Sequence, residues 1–423
     1  MSSYKNFFKD KKVLVVGLGA NCEAVADIVF LIKAGAHVSM IDMRSEARIE
    51  QSVKKIQAAG MVACEFGTMA RSHVEDKDII LKALDIPNTV PCIDEALNQD
   101  IPVETSSTLF LKMAPPIILI GVFGACGKTT TSYLINKVLS PQFNEKDGQN
   151  FWYIDQQSSQ SPLNVLKKIK KGDVVLTSIR EEQYDAYMKA RISPHVAVVT
   201  NFTDVKLLEF QTYNNFLIAN DSTVDAIKES NINIKAKILR TNSAFLPSSW
   251  SIHQPLHIKE DMALALRVAE LFKIDFQDIQ IHFETFKTLK GRLELCRNNI
   301  YNDAASVCPH STVAALKTIG GDRDVVLILG GGANNDDVYE LFQVIPKHVA
   351  VLILIPGSGT MKLHQIDITS MYATTIGEAV LLVKEHAKKG HKLLFSPAFL
   401  PQTTIRERSE QFVKALKEIS LQL

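Results

Sequence analysis

An α/β protein of three domains is what this sequence predicts, and three observations predict it. Short runs of Val, Ile and Leu recur along the chain and alternate with stretches of helical spacing. Runs of that kind, without polar alternation, suit strands covered on both faces, as in a mostly parallel sheet wrapped by helices. Two of the runs open directly into glycine-rich turns at Gly17 and Gly121. Breaks at Ala114-Pro115-Pro116 and near Leu289-Lys290-Gly291 then divide the chain into spans 1–115, 116–288 and 289–423. A length of 423 residues agrees with that division, at about 150 residues per domain.

In the first span, Lys12–Val16 reads as a strand entering Gly17-Leu18-Gly19, and the residues that follow read as a helix to Ala34. Gly35 stops that helix, because only glycine takes the left-handed turn after a helix without strain. His37–Ile41 is the next strand and ends at Asp42. The second span starts with the strand Ile117–Ile120, followed by a glycine-rich turn and the helix Thr129–Leu139. Strands follow at Val174–Thr177 and Ala197–Thr200, and the spacing of Met262, Leu264, Leu266, Val268 and Leu271 predicts a helix over Asp261–Phe272. The third span carries strands at Val325–Leu329, Ala350–Leu354 and Lys392–Phe395, and Arg406–Leu421 reads as an exposed terminal helix.

Composition narrows the function. Hydrophobic residues make up 46% and charged residues 22%, so the chain is ordinary globular material, neither disordered nor collagenous. Lys+Arg at 47 against Asp+Glu at 46 leaves a net charge of +1, which supplies no global field for nucleic acid. The six cysteines, Cys22, Cys64, Cys92, Cys126, Cys296 and Cys308, are scattered without a CxxC pair. That pattern predicts reduced thiols rather than a disulfide scaffold or a zinc site. No apolar run is long enough to span a membrane. A cytoplasmic monomer acting on small molecules, with no nucleic acid or membrane partner, is the expectation.

The strongest motif is Gly121-Val-Phe-Gly124-Ala125-Cys126-Gly127-Lys128-Thr129-Thr130-Thr131, between a strand and a helix. Glycines let backbone amides wrap a phosphate, and the helix amino terminus adds the positive end of its dipole. Lys128 is then the catalytic cation on the terminal phosphates, and the Thr129 hydroxyl is the candidate magnesium ligand. Gly121 stands one residue early for the strict GxxxxGK[ST] spacing, so the match is to a variant. The bland reading is a glycine turn before a helix.

A second turn, Gly17-Leu18-Gly19-Ala20-Asn21-Cys22, with Asp42 ending the next strand, has two of the three glycines of a dinucleotide fingerprint. Cys22 stands where the third would be, so NAD, another nucleotide, or a pyrophosphate-bearing substrate are all open. A third cluster, Arg292-Leu-Glu294 followed by Tyr301-Asn302-Asp303, reads either as a clamp on a nucleotide or as a surface ion pair.

Taken in order, these motifs resemble the Mur ligases of peptidoglycan synthesis over nearly the whole chain. The likeness is carried by VLVVGLG (13–19) with Asp42, IPVETSSTLFLK (101–112), GVFGACGKTTT (121–131) and SPHVAVVTN (193–201). It continues through GRLE (291–294), YNDAASVCPHSTVAALK (301–317), LILGGG (327–332), SPA (396–398) and RSEQF (408–412). The resemblance implies a Rossmann-like first domain, a central P-loop domain and a Rossmann-like third domain. It also implies an ATP- and Mg²⁺-dependent ligase that adds an amino acid, D-glutamate on this likeness, to UDP-N-acetylmuramoyl-L-alanine through an acyl phosphate. On it, Gly124, Ala125, Cys126, Gly127, Lys128, Thr129, Thr130, Arg292 and Asp303 bind ATP, and Thr129 also binds metal. Gly17, Leu18, Gly19, Ala20, Asn21 and Asp42 hold the UDP moiety.

The departures from the family pattern fall on the chemistry. A metal-ligating Glu becomes Ser178, a metal-binding His becomes Lys206, and the lysine that is carbamylated becomes Asn220. The HNLEN-type segment near the adenine reads HIKED, with Ile258 and Asp261 for its asparagines, and the SPG turn reads Ala83-Leu84-Asp85. The lysine after the glycine run falls near Asn335, and the loop after Ala398 is about three residues short. Glu181 and Glu182 lie close enough in sequence to substitute for the lost ligand. At an effective dielectric near 20, one misplaced unit charge at about 4 Å costs on the order of 4 kcal/mol, so three changes together alter the site. Two readings beside the ligase follow: a nucleotide-binding relative without ligation, and, against Cys22, a hydride-transferring dehydrogenase.

Overall fold

The structure is a computed structural model describing residues 3–19, 22–143, 148–154, 161–201, 215–230, 234–250, 254–332, 337–363, 366, 368 and 370–419. Among the described residues, three sheets follow one another along the chain. The first joins β1 (Lys12–Val16), β2 (His37–Asp42), β3 (Ala63–Phe66), β4 (Ile79–Lys82) and β5 (Val103–Glu104), all parallel, in the order β3-β2-β1-β4-β5. The helix Ala24–Ala34 crosses from β1 to β2 and stops at Gly35, whose φ of +93° turns its amide back onto Ile32 and Leu31.

The second sheet joins β6 (Ile118–Phe123), β7 (Phe151–Ile154), β8 (Val174–Ser178), β9 (Val196–Val199), β10 (Phe216–Asn220) and β11 (Lys237–Thr241). Its order is β11-β10-β9-β6-β8-β7, again parallel throughout. β6 is central, and the chain leaves it to opposite sides, toward β8 and toward β9. Ligands of open α/β sheets sit beyond the carboxyl ends of strands at such a reversal. The predicted strand Ile117–Ile120 therefore continues to Phe123, because Gly121 is a strand residue paired with Thr177 and Ala197.

Asp173 pins the edge strand β7. Its buried carboxylate accepts from the Asn150 and Lys170 amides at 2.9 Å and from Trp152 Nε1 at 2.8 Å. Burial pushes this acid up, but the Trp152, Asn150 and Lys170 hydrogen bonds outweigh it and hold the pKa below the usual carboxylate value. A depressed acid stabilises the fold above its unfolded pKa and loses that contribution as pH falls through the folded value. Asp173→Ala is expected to cost about 3 kcal/mol, since four donors, the Asn150 and Lys170 amides, Asn150 Nδ2 and Trp152 Nε1, lose a charged acceptor. Urea unfolding followed by Trp152 fluorescence in a Trp250→Phe background reads this, and an unchanged midpoint rejects it.

The third sheet joins β12 (Glu294–Arg297), β13 (Ile300–Asn302), β14 (Val325–Leu329), β15 (Val349–Leu354), β16 (Ser370–Tyr372) and β17 (Lys392–Phe395) in the order β12-β13-β17-β14-β15-β16. β12 alone runs antiparallel, through a tight turn in which Asn299 takes φ +60°. Three α/β sheets in sequence are the predicted fold class.

Two boundaries and one exposure differ from the sequence reading. The helix expected at Asp261–Phe272 begins at Leu256, five residues earlier, and ends at Leu271. The terminal helix, Ile405–Ile419, is not simply exposed: Arg408, Phe412, Ala415 and Leu416 are buried along one stripe. Phe412 stacks on Phe395 with ring centroids 4.6 Å apart. The helical period of 3.6 brings these positions to one face, while the charged residues between them hide the stripe in a linear reading.

The chain groups into two compact units, residues 1–247 with 260–282, and residues 248–259 with 283–423. In the first unit the first and second sheets share one apolar core, in which Phe8, Val15, Ile28, Leu31 and Phe110 continue into Leu119, Leu163 and Val175. Buried Asp27 crosses that core, accepting from the hydroxyls of Ser106 and Ser161. No helix among the described residues is long and apolar enough to cross a membrane.

Candidate functional site

β6 ends at Phe123, so the loop Gly124–Gly127 stands at the carboxyl edge of the second sheet, directly before the helix Lys128–Leu139. Gly124 has φ +117° and Gly127 φ +83°, the left-handed region that side chains avoid. Space is closed to a side chain as well. A Cβ on Gly124 would stand 2.3 Å from Thr200 Oγ1, and one on Gly127 would stand 2.7 Å from Asp261 Oδ1. Gly121 is a different kind of glycine, a strand residue outside the loop, where an added Cβ would stand within 2.9 Å of the Ile179, Phe123 and Pro194 side chains. The turn between strand and helix is therefore the four residues 124–127, which accounts for the early position of Gly121.

Lys128 Nζ folds over this loop and donates to the carbonyls of Gly124 at 2.5 Å and Ala125 at 3.1 Å. The ammonium is thereby held at the mouth of the helix, where the dipole is positive and an anion is favoured. Thr129 is partly exposed, whereas Thr130 and Thr131 are buried. The hydroxyl of Thr200, just after β9, lies 2.9 Å from the Phe123 carbonyl and 2.5 Å from the Cys126 carbonyl, with one hydrogen to share between them. Asn201 Oδ1 accepts from the Cys126 amide at 3.4 Å. On the far side Thr131 Oγ1 donates to Asp261 Oδ1 at 2.8 Å. Thr200 and Asn201 were legible only as the polar end of an apolar strand, and their partners lie about 75 residues away.

Two of the positions that depart from the family pattern, Ser178 and Asn220, fall at the same sheet edge. Ser178 is the last residue of β8 and pairs with Val122. Asn220 is the last residue of β10, and its Oδ1 caps the helix Asp221–Glu229 by accepting from the Thr223 amide at 2.9 Å. Glu181 is an exposed residue of the turn after β8. Lys206, Asn335 and the side chain of Glu182 lie outside the described residues. Among the described residues no group of three or more His, Cys, Asp or Glu is placed to hold a metal ion.

At the first sheet, Gly17 and Gly19 both take positive φ, and so does Cys22 at +55°, the position of the absent third glycine. The turn is closed from within. Asp42 Oδ2 accepts the Leu18 amide at 2.9 Å and Arg44 Nη2 at 2.7 Å, while Oδ1 accepts Arg44 N at 2.8 Å and Nε at 2.9 Å. Burial alone would raise the Asp42 acid, but Arg44 and the Leu18 amide outweigh it and keep its pKa below the usual value. Leu18 itself is a core residue. Both carboxylate oxygens are engaged by donors of the protein itself, Arg44 on each and the Leu18 amide on one. Arg44, partly exposed and also bonded to the Gly19 carbonyl, is the polar group that sequence reasoning missed. A Cβ on Gly19 would fall within 2.6 Å of the Glu23 carboxylate, which therefore lies against this turn. Ala20 and Asn21 lie outside the described residues.

In the second compact unit, Asp303 follows β13 and is buried rather than part of a surface ion pair. Its Oδ1 accepts the Leu293 amide at 3.0 Å, and its Oδ2 accepts the Ser396 hydroxyl at 2.7 Å. Burial pushes its pKa up to about 7, opposed by Ser396, Leu293, Arg292 and Arg408. Arg408, also buried, donates to the carbonyls of Phe399 at 2.7 Å, Ala304 at 3.0 Å and Ser306 at 3.1 Å. Thr312 Oγ1 lies 2.8 Å from Ser396 Oγ and 2.9 Å from Ser306 Oγ. Arg292 is partly exposed beside this network.

Comparison with known proteins gives one picture at two levels. No protein-family model matches the chain. The UDP-N-acetylmuramoylalanine–D-glutamate ligase of Clostridium tetani is 23% identical and aligns over 99% of each chain. The ligase of the same name from Lactobacillus acidophilus is 26% identical over 97% of this chain and 98% of its own. Among solved structures, the UDP-N-acetylmuramate–alanine ligase of Thermotoga maritima superposes over 96% of this chain and 99% of its own, with TM-score 0.57 and 13% identity, a likeness of fold.

Proposed function

Because the chain belongs to the Mur ligase family, we propose that it is an ATP-dependent, ADP-forming amide ligase of peptidoglycan precursor synthesis. Its substrates on this reading are UDP-N-acetylmuramoyl-L-alanine and D-glutamate, as in the names of its full-length relatives. The observation that carries the reading is the phosphate loop: two left-handed glycines, an ammonium held at the helix mouth and polar backing on both sides.

Such a loop suits the reaction. A carboxylate is a poor electrophile, and transfer of the γ-phosphoryl group to it makes an acyl phosphate with phosphate as leaving group. The amino acid's amine then attacks the acyl carbon, and an amide and inorganic phosphate result. Little covalent work falls to the protein, so positioning and neutralisation of phosphate charge decide the rate. Lys128 holds the transferred group's charge, and the Gly124–Gly127 amides fix its place. A magnesium ion carried by the nucleotide supplies further charge neutralisation, and the Thr129 hydroxyl is the group that would hold it. The neutral oxygens of Ser178 and Asn220, the latter committed to a helix cap, do not supply the anionic ligands of a second ion. Arg292 is assigned to the nucleotide and Arg44 to the UDP end of the precursor.

Those two neutral positions favour a second reading: a nucleotide-binding relative with a regulatory or binding role and no ligation. Phosphate release from ATP in the presence of UDP-N-acetylmuramoyl-L-alanine and D-glutamate separates the two. Release that depends on both substrates, with the amide found by mass spectrometry, is expected. Tight ATP binding without substrate-dependent release establishes the second reading instead.

A further inference from the structure

We propose that Asp261 is a positioning residue of the phosphate loop, an abutment that holds the end of the loop and the first turn of its helix in phosphate-binding shape. The proposal rests on the nucleotide-binding reading of that loop and extends it to a residue on a different helix. Thr131 Oγ1 and Asp261 Oδ1 are 2.8 Å apart, both residues are buried, and they lie 130 positions apart in sequence. The same oxygen lies 2.7 Å from where a Cβ on Gly127 would stand. It therefore packs against the residue whose left-handed turn converts loop into helix. Two contacts from one carboxyl oxygen thus bracket Lys128 in sequence, one before it at Gly127 and one after it at Thr131.

The abutment is itself anchored. Thr241 Oγ1, at the end of β11, donates to Ala263 O at 3.3 Å, and Arg267 Nε donates to Arg240 O at 3.2 Å, both fastening the helix Leu256–Leu271 to that strand. Thr200 and Asn201 grip the other half of the loop at Phe123 and Cys126. A loop clamped at both halves keeps its amides ordered before the ligand arrives, and affinity rises because less ordering remains to be done on binding.

The test is calorimetric titration of the full chain with Mg·ATP. Asp261→Ala and the near-isosteric Thr131→Val are each expected to weaken binding about tenfold, the scale of one hydrogen bond to a charged group. The double variant is expected to be no worse than either alone, because both remove one contact. Asp261→Asn keeps an acceptor oxygen and is expected to stay within about threefold of wild type. Thr241→Val removes one of the two fastenings of the same helix, a weak one at 3.3 Å, leaves the Arg267–Arg240 contact in place, and is expected to leave affinity within about twofold. Wild-type affinity in both Asp261→Ala and Thr131→Val overturns the proposal, and so does a loss in Thr241→Val equal to that in Thr131→Val. If Asp261→Ala fails to fold, Thr131→Val and Asp261→Asn decide. Absence of binding heat in the wild-type protein removes the nucleotide reading and the proposal together, whereas unaffected variants of a binding wild type remove only the role of Asp261.

Discussion

Lys128→Ala is expected to weaken Mg·ATP binding at least ~100-fold and to abolish substrate-dependent phosphate release. The size follows from the geometry. The ammonium lies over the Gly124 and Ala125 carbonyls at the amino end of the helix Lys128–Leu139. An arriving triphosphate takes over those hydrogen bonds as charge-assisted ones, each about 1.5–3 kcal/mol. Two such contacts come to roughly 3–6 kcal/mol, two to four decades in affinity at about 1.4 kcal/mol each. Lys128→Arg retains the charge but is expected to recover little, because a planar fork does not replace a compact point charge in a loop this close. Calorimetry at fixed magnesium reads the binding, and a phosphate-release assay reads the chemistry. An alanine variant with undiminished affinity removes Lys128 from the site. A companion change, Gly124→Ala, is expected to be nearly as damaging through shape alone, since its Cβ would stand 2.3 Å from Thr200 Oγ1.

Arg408→Ala is expected to destabilise the second compact unit by about 3–5 kcal/mol, the range for breaking one side of a buried charged network. Three carbonyls, those of Ala304, Ser306 and Phe399, lose their donor, and Asp303 loses the favourable charge of a buried cation. Asp303 adds a pH signature. Its folded pKa is raised to about 7 by burial, above the ordinary value of 3.8. A raised acid contributes stability that is fully present below its unfolded pKa and is lost as pH rises through the folded value. From this residue, the unit is therefore more stable near pH 4 than near pH 8. Asp303→Asn imitates the protonated acid and is expected to flatten that slope between about pH 4 and 7. Hydrogen exchange of the β13 and β17 amides across this range measures both effects. A slope that survives in Asp303→Asn assigns it to another group.

How much of this was legible beforehand differs residue by residue. Lys12–Val16, Val325–Leu329 and Lys392–Phe395 were readable as strands because each is an apolar run, at most led by a lysine, and His37–Asp42 because Val38, Met40 and Ile41 follow the helix-stopping Gly35. β12 and β13 were not, because Glu294, Arg297 and Asn302 interrupt their apolar pattern. The glycine turn and its lysine were readable as a candidate phosphate loop because backbone shape, helix dipole and cation all lie within eight residues, 124–131. Its supports were not, since Thr200, Asn201 and Asp261 are brought to it by strand order rather than by proximity in sequence. Asp42 was read as a ligand-facing carboxylate, and nothing local announced that Arg44 would occupy both its oxygens.

The amino-acid order alone settled what depends on neighbours along the chain. Strand and helix periods, the left-handed glycines 124 and 127 and the lysine at the helix start are properties of a few adjacent residues and their steric limits. Only the folded chain decided which polar groups face one another. Asp303 with Ser396 and Thr131 with Asp261 are paired across 93 and 130 positions. A hydrogen bond depends on ångström-scale distance, and that distance is set by sheet order and core packing, which no local pattern specifies.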